Sequence, residues 1–208
     1  MARKACCCGS RARQAKHCRA PTARRPAATV TTPKGAALAY AARSWAVFPC
    51  HTPTDNGCSC RRAYGRIGKH PRTKNGLKDA STDPALIRRW WTMWPQANVG
   101  IATGAGSGLV VLDEDTYKGG DQSRLELEHA YSPLPETILS LTGGGGVQYF
   151  FSHPGRHVKN GVESLGPGLD IRGDGGYIIA PPSLHASGRR YAWEVIHDPE
   201  DIPPGAAA

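Results

Sequence analysis

The stretch that most constrains this chain is Leu109-Val110-Val111-Leu112-Asp113-Glu114-Asp115. Four apolar residues, two of them β-branched, follow the turn-forming Gly104-Ala105-Gly106-Ser107-Gly108, and this pattern predicts a buried strand. The strand ends in three acids, after which Thr116-Tyr117-Lys118-Gly119-Gly120 carries the chain away. Side chains alternate along a strand, so Asp113 and Asp115 share one face and Glu114 takes the other. Two carboxylates about 6–7 Å apart on one rigid edge repel each other unless a cation lies between them. Hard oxygen ligands of this kind suit Mg2+ or Mn2+, ions that also hold substrate phosphates. The plain alternative is a strand that ends in a solvated acidic turn.

Around this strand the pattern alternates between helix and strand. Residues 36–43 predict a short helix and 45–48 a strand ending at Pro49. Ser81-Thr82-Asp83-Pro84 is a helix start, with Asp83 as cap and Pro84 in the first turn. Leu86, Ile87, Trp90, Trp91 and Trp94 then recur at helical spacing, which makes the tryptophans core residues before it makes them a base-stacking platform. Residues 98–103 read as the next strand. Residues 120–131 predict a helix with Leu125 packed inward, and 136–142 and 147–151 predict strands joined by Gly143-Gly144-Gly145-Gly146. A glycine run exposes backbone N–H groups and lets a phosphate approach, or it is only a flexible hairpin. It lacks the Gly-Lys-Ser/Thr of a P-loop. Residues 168–172 form a short strand with Asp170 and Arg172 on one face, the turn Gly173-Asp174-Gly175-Gly176 leads into residues 177–183, and 191–195 read as a last strand.

Charge separates a tail from a body. The 208 residues carry a formal charge of +9, but residues 1–34 hold nine Lys/Arg and no acid, and the remainder holds seventeen of each sign. The tail therefore reads as disordered and basic, suited to nonspecific contact with nucleic acid, or as an upstream extension. Its Cys6, Cys7, Cys8, His17 and Cys18 lack a familiar zinc spacing. A single domain is expected over residues 35–200, with residues 201–208 fraying. No apolar run approaches membrane-spanning length, and the N-terminus lacks the apolar centre of a secretory signal. All seven cysteines fall within the first 60 residues, an odd number mixed with His, which fits a reducing cytoplasm and metal ligation better than disulfides. Cys58, Cys60 and His70, with Cys50 or His51 as a fourth group, supply enough ligands for a small tetrahedral zinc site, against the alternative of reduced surface thiols. From Arg61 to Arg89 there are nine Lys/Arg and two acids, a surface for phosphates or a solvated face.

Taken together, the order of parts resembles the bifunctional DNA primase/polymerase N-terminal domain family of the archaeo-eukaryotic primase superfamily. The resemblance rests on Gly68-Lys69-His70-Pro71, Thr82-Asp83-Pro84, Trp90-Trp91, Pro95-Gln96-Ala97-Asn98-Val99-Gly100, the acidic strand, and Leu169-Asp170-Ile171-Arg172-Gly173-Asp174-Gly175-Gly176-Tyr177-Ile178-Ile179-Ala180-Pro181-Pro182-Ser183. It implies an α+β (α/β) prim-pol catalytic core with an RRM-like sheet flanked by helices, plus a small Cys/His loop. It also implies a Mg2+ or Mn2+ site from Asp113, Asp115 and Asp170, and a structural zinc in the loop holding Cys58, Cys60 and His70, although a third Cys common in that loop is missing here.

The activity implied is a two-metal nucleotidyltransferase, a DNA primase/polymerase serving a plasmid, phage or other mobile element. DNA template or primer and nucleoside triphosphates would be its substrates, a separate helicase or replication protein its partner, and no membrane is involved. Lys69, Arg172, Gln148 and the glycines Gly144, Gly145 and Gly146 would meet the nucleotide. One departure matters: where the family's hairpin carries a Ser-x-x-x-His pattern, this chain has Gly144 and Gln148. Gln donates a hydrogen bond but carries no charge. The alternatives are therefore an inactive relative that binds single-stranded DNA or nucleotide and recruits a partner, and a metal-dependent phosphoesterase built on the same acids.

Overall fold

The computed structural model describes residues 31–62 and 65–194. Most of the basic tail, with Cys6, Cys7, Cys8, His17 and Cys18, lies outside the described residues, as do Val195 and residues 201–208. Thr32 opens the first helix, accepting from the Gly35 amide at 3.1 Å, and Pro33 stands in the first turn, where a missing amide costs nothing. This helix, α1 (Pro33–Ala42), buries Ala36, Ala37, Tyr40 and Ala41. Asp83 caps the second helix in the same way, accepting from Ala85 at 2.8 Å. That helix, α2 (Pro84–Met93), buries Ile87, Trp90 and Trp91, so these tryptophans are core. Trp94 packs against the same core under the Arg72 guanidinium.

The strands form two antiparallel sheets and a small hairpin, an α+β architecture. The first sheet has the order β1 (Val47–Cys50), β4 (Asn98–Ala102), β9 (Tyr177–Ala180). Pro49 is tolerated in β1 because β1 is an edge strand, and a proline there leaves no donor to satisfy. The hairpin pairs β2 (Pro53–Thr54) with β3 (Gly57–Cys58). The second sheet has the order β10 (Ala192–Trp193), β6 (Leu139–Leu141), β7 (Val147–Ser152), β5 (Leu109–Glu114), β8 (Leu169–Arg172). Val47, Val99, Ile101 and Ile178 from the first sheet share one core with Leu109, Val111 and Phe150 from the second and with both helices. Phe48, Cys50, Ile179 and Tyr191 form a second, smaller core.

Two expectations need correction. The strand expected over residues 136–142 shrinks to the three residues of β6, Leu139–Leu141, with Thr142 given over to closing the turn through Gly145 and Gly146. Leu125 is not packed inward: it is 51% exposed on the third helix, α3 (Gly120–Ala130). The inward face of α3 is small and polar instead. Ser123 donates to the Pro167 carbonyl at 2.8 Å, Arg124 reaches Glu114 on β5, and a side chain at Gly120 would strike the Gly168 carbonyl.

Candidate active site

Sheet register assembles the central row. Asp113 on β5 lies opposite Gln148 on β7 and opposite Asp170 on β8, and Gln148 in turn lies opposite Ser140 on β6. Directly opposed residues share a face, so these four polar side chains line one side of the sheet. Two residues earlier on β5 the same face turns apolar toward β7, with Val111 paired to Phe150 and both buried, while on the other side Val111 faces Arg172 of β8. Core thus gives way to polar site within one side-chain repeat. Gln148 is itself buried, its carbonyl oxygen accepting from the Ser140 hydroxyl at 2.7 Å.

The acids are held by cations from the chain itself. Arg172 shares the face of Asp170, as the period of a strand requires, and turns back over it. Its Nη2 donates to Asp170 Oδ2 at 2.5 Å and to Asp113 Oδ2 at 3.2 Å, while its Nε donates to Asp113 Oδ2 at 3.3 Å. Asp115 lies just past the end of β5, beside Lys118 at 3.6 Å. Lys118 also faces Glu163 at 3.9 Å, and the Glu163 amide donates to Asp170 Oδ1 at 2.8 Å. Asp115 is thus linked to Asp170 only through Lys118 and the Glu163 backbone, and among the described residues the three aspartates do not form a group of ligand atoms within 4.8 Å of one another. Glu114 points to the opposite face, buried against Arg124 at 2.7 Å, with Arg124 held in turn by Glu128 at 2.7 Å. Burial and then the Glu114 charge push the Tyr149 phenol beside this pair up to about 12.

The glycine run is a tight turn with specific steric demands. A side chain at Gly146 would strike the Glu114 carbonyl oxygen, and one at Gly143 would strike His185. The Gly146 amide donates to Thr142 Oγ1 at 2.9 Å and the Gly145 amide to the Thr142 carbonyl at 3.0 Å, so these two amides close the turn and do not cradle an anion. The functional groups around the turn come from elsewhere, and the sequence reading passed over them. Arg189 Nε donates to the Gly143 carbonyl at 2.9 Å. His185 stacks against the turn, its Nδ1 accepting from the Ser187 amide at 3.1 Å and its Nε2 edge lying against Gly144. Burial, then Lys69 and Arg189, hold the His185 ring below its ordinary value and so neutral at pH 7. The signal available was Leu184-His185 following Pro-Pro-Ser, but nothing local links it to a hairpin forty residues upstream.

Lys69 is brought to this place by Asn98. That buried carboxamide donates to the Gly68 carbonyl at 2.9 Å and to the Leu184 carbonyl at 2.8 Å, and accepts from the Leu184 amide at 2.8 Å. It ties the segments bearing Lys69 and His185 together across the first sheet. The Tyr177 hydroxyl adds a bond to the Lys69 carbonyl at 3.0 Å. Burial and then the Asp113 carboxylate raise the Tyr191 phenol well above its usual value.

The Cys/His loop forms a separate cluster. Among the described residues the one group of three or more candidate ligands lying within 4.8 Å of one another is His51, Cys58 and His70. The Cys58 thiol is 3.9 Å from His70 Nε2, and the His51 and His70 rings stack with centroids 4.6 Å apart. Cys60 stands next to Cys58 and hydrogen-bonds to it. Of the two groups that could complete the set, the structure brings His51. Cys50 lies in the second core, fully buried, where loss of solvation pushes its thiol far above the usual range, with Arg72 opposing only weakly. Burial, aided by the Arg72 charge, lowers His51 to about 4, which leaves it the neutral base that ligation requires.

No curated protein matches the chain. The sequence model for the N-terminal domain of bifunctional DNA primase/polymerases matches residues 37–205, a span that contains both sheets, the acidic row and the Cys/His loop. The chain belongs to the bifunctional DNA primase/polymerase N-terminal family, whose reaction is primase/polymerase-type nucleotidyl transfer on DNA and nucleotides.

Proposed function

We propose that this chain is a DNA primase/polymerase whose template-directed nucleotidyl transfer takes place at Asp113, Asp115 and Asp170. The observation that carries the reading is the convergence of Asp113 and Asp170 on a single cation, the Arg172 guanidinium, at 3.2 and 2.5 Å. The oxygen donors around that guanidinium are of the kind that suits Mg2+ or Mn2+, and Asp115, two residues past Asp113 on the same strand face, would supply a third carboxylate. Bound there, a divalent ion activates a 3′-hydroxyl and neutralises the triphosphate. The chain's own groups do the rest. Register fixes Asp113 and Asp170, so their oxygens need little reorganisation. Lys69, Arg189 and Arg172 would supply positive charge to the triphosphate, and His185 and Gln148 would add hydrogen-bond donors beside the Gly143–Gly146 turn.

His51, Cys58, Cys60 and His70 would hold one structural zinc, whose task is to pin the loop that presents Lys69. The basic stretch between Arg61 and Arg89 would follow template phosphates, and a separate helicase or replication protein would open the duplex. Among the described residues no helix is long and apolar enough to cross a membrane.

Primer extension on a labelled primer-template, with Mg2+ and separately with Mn2+, tests the reading. Incorporation that requires a divalent ion and is lost in Asp113→Ala supports it. Metal-independent DNA binding without incorporation by the wild-type chain under either ion assigns the protein instead to the inactive, partner-recruiting class.

A further inference from the structure

We propose that Arg172 is a displaceable counter-ion that competes with divalent metal for Asp113 and Asp170 and swings onto the incoming triphosphate when metal enters. The inference rests on the carboxylate metal site proposed above and adds a coupling between metal and nucleotide that the site alone does not contain.

The geometry begins with the strand. Arg172 lies opposite Val111 and two residues beyond Asp170 on the same face, so its side chain must fold back along β8 to reach Asp170 Oδ2 at 2.5 Å. Its Nε and Nη2 both converge on Asp113 Oδ2, at 3.3 and 3.2 Å. One positive charge is thus shared between two carboxylates and leaves one negative charge over. A divalent ion placed between the same oxygens leaves none, so it has the electrostatic advantage over the guanidinium. The two cannot occupy the position together, because like charges within a few ångströms of each other in a partly desolvated site repel strongly.

The displaced side chain stays near the segment that carries Lys69. Arg172 is anchored at the end of β8, and its charge together with that of Arg66 already acts on Tyr177, whose hydroxyl holds the Lys69 backbone. Turned away from Asp113, the guanidinium would offer a planar fork of donors that suits phosphate oxygens. Lys118 repeats the arrangement at Asp115, 3.6 Å away, on a more exposed side chain. The acids are therefore only partly neutralised by the chain's own cations, Arg172 and Lys118, in the metal-free protein. Metal frees a cation for the triphosphate, and by linkage a bound triphosphate frees the acids for metal.

The test reads metal binding directly, without catalysis. Free Mn2+ is measured by electron paramagnetic resonance during titration of the full, nucleotide-free chain, in wild type, Arg172→Gln, Arg172→Lys and Asp113→Asn. Removing the competing cation should tighten Mn2+ binding about tenfold or more in Arg172→Gln. Arg172→Lys, which keeps a charge but loses the fork that bridges both acids, should show a smaller tightening and serves if the Gln variant does not fold. In a parallel titration with a fluorescent nucleoside triphosphate, Arg172→Gln should lose most of the gain in nucleotide affinity that Mn2+ gives the wild type. Unchanged or weaker Mn2+ binding in the Arg172 variants, with binding abolished in Asp113→Asn, overturns the competition and leaves the metal site standing. Wild-type Mn2+ affinity in Asp113→Asn removes the carboxylate site itself and the competition with it.

Discussion

The acidic row and the Cys/His loop hold their candidate ligands by opposite means. Asp113 and Asp170 sit on neighbouring strands in fixed register, so their separation is set by backbone hydrogen bonds that involve neither side chain. His51, Cys58 and His70 come from the end of β1, a two-residue strand and a loop, and little regular structure lies between them. Arg72 does much of the work there, donating to the Cys50 carbonyl at 3.2 Å and to the Ser59 hydroxyl at 2.8 Å, while Ser59 in turn holds His51 at 2.9 Å. A sheet positions ligands before any ion arrives. A loop needs the ion to complete its own structure, so the two clusters should respond differently to loss of a ligand.

The largest effect is expected at the row. Asp113→Ala should lower incorporation by at least about 10²–10³-fold while the chain unfolds at a denaturant concentration equal to or above wild type, since one of two facing carboxylates is gone. Single-turnover extension beside urea unfolding measures both, and loss of fold with loss of activity would show that register does not hold the site alone.

Next comes the neighbour on the opposite face. Glu114→Ala strands the buried end of Arg124 and should cost about 3 kcal/mol of stability, with Mn2+ binding at the row unchanged. If Glu114→Ala leaves the unfolding midpoint in place, the division of β5 into a metal face and a structural face is wrong.

The loop gives a smaller and more selective effect. The chelator-free protein should contain about one zinc per chain, and His51→Ala and His70→Ala should each weaken its retention about 10–100-fold. Cys50→Ser should keep the metal. Elemental analysis after dialysis against a weak competitor decides it, and zinc lost from Cys50→Ser but retained in His51→Ala would reverse the choice between the two.

The smallest effect concerns an acid that resembles the site acids in sequence but is held by backbone. Asp174 accepts from the Ala105 and Val158 amides at 2.9 and 2.8 Å and faces His153 at 3.2 Å. The two amide bonds, and then the one from His153, hold its carboxyl well below the usual range. A depressed carboxyl stabilises the fold above the pKa it has when unfolded, about 4, and that contribution fades as pH falls toward the folded value. The stability lost in Asp174→Asn should therefore be constant between pH 5 and 7 and close below about pH 4. Urea unfolding across that range checks it, and a gap that widens on acidification would assign the clamp to His153 and to His157, which also lies 3.2 Å from Asp174.

Much of the sheet-borne site was legible in advance because a strand has period two. Alternation alone separates Asp113 from Glu114 and puts Asp170 with Arg172, and both hold in the structure. The caps at Thr32 and Asp83 and the buried Trp90 and Trp91 follow from equally local rules. Leu125 was misplaced because apolar character does not say which way a short helix faces when its inward contacts are a glycine, a serine and an ion pair.

The sequence by itself determined that helices and strands lie near residues 33–43, 84–93, 98–102 and 109–114, that Asp113 and Glu114 take opposite faces of β5, and that the Cys/His stretch could bind metal. Only the tertiary structure decided that Asp113 and Asp170 are neighbours, since the pairing of β5 with β8 spans more than fifty residues and depends on both strands sharing one sheet. It also decided that His51 and not Cys50 faces the loop. These two are adjacent in sequence and differ in direction because strand side chains alternate, and it is the packing of the Cys50 thiol beneath Tyr191 and Ile179 that fixes which of them points outward. The meeting of Lys69 with His185 is of the same kind. It depends on one buried carboxamide, Asn98, whose partners lie 30 and 86 residues away, a distance across which no local pattern carries information.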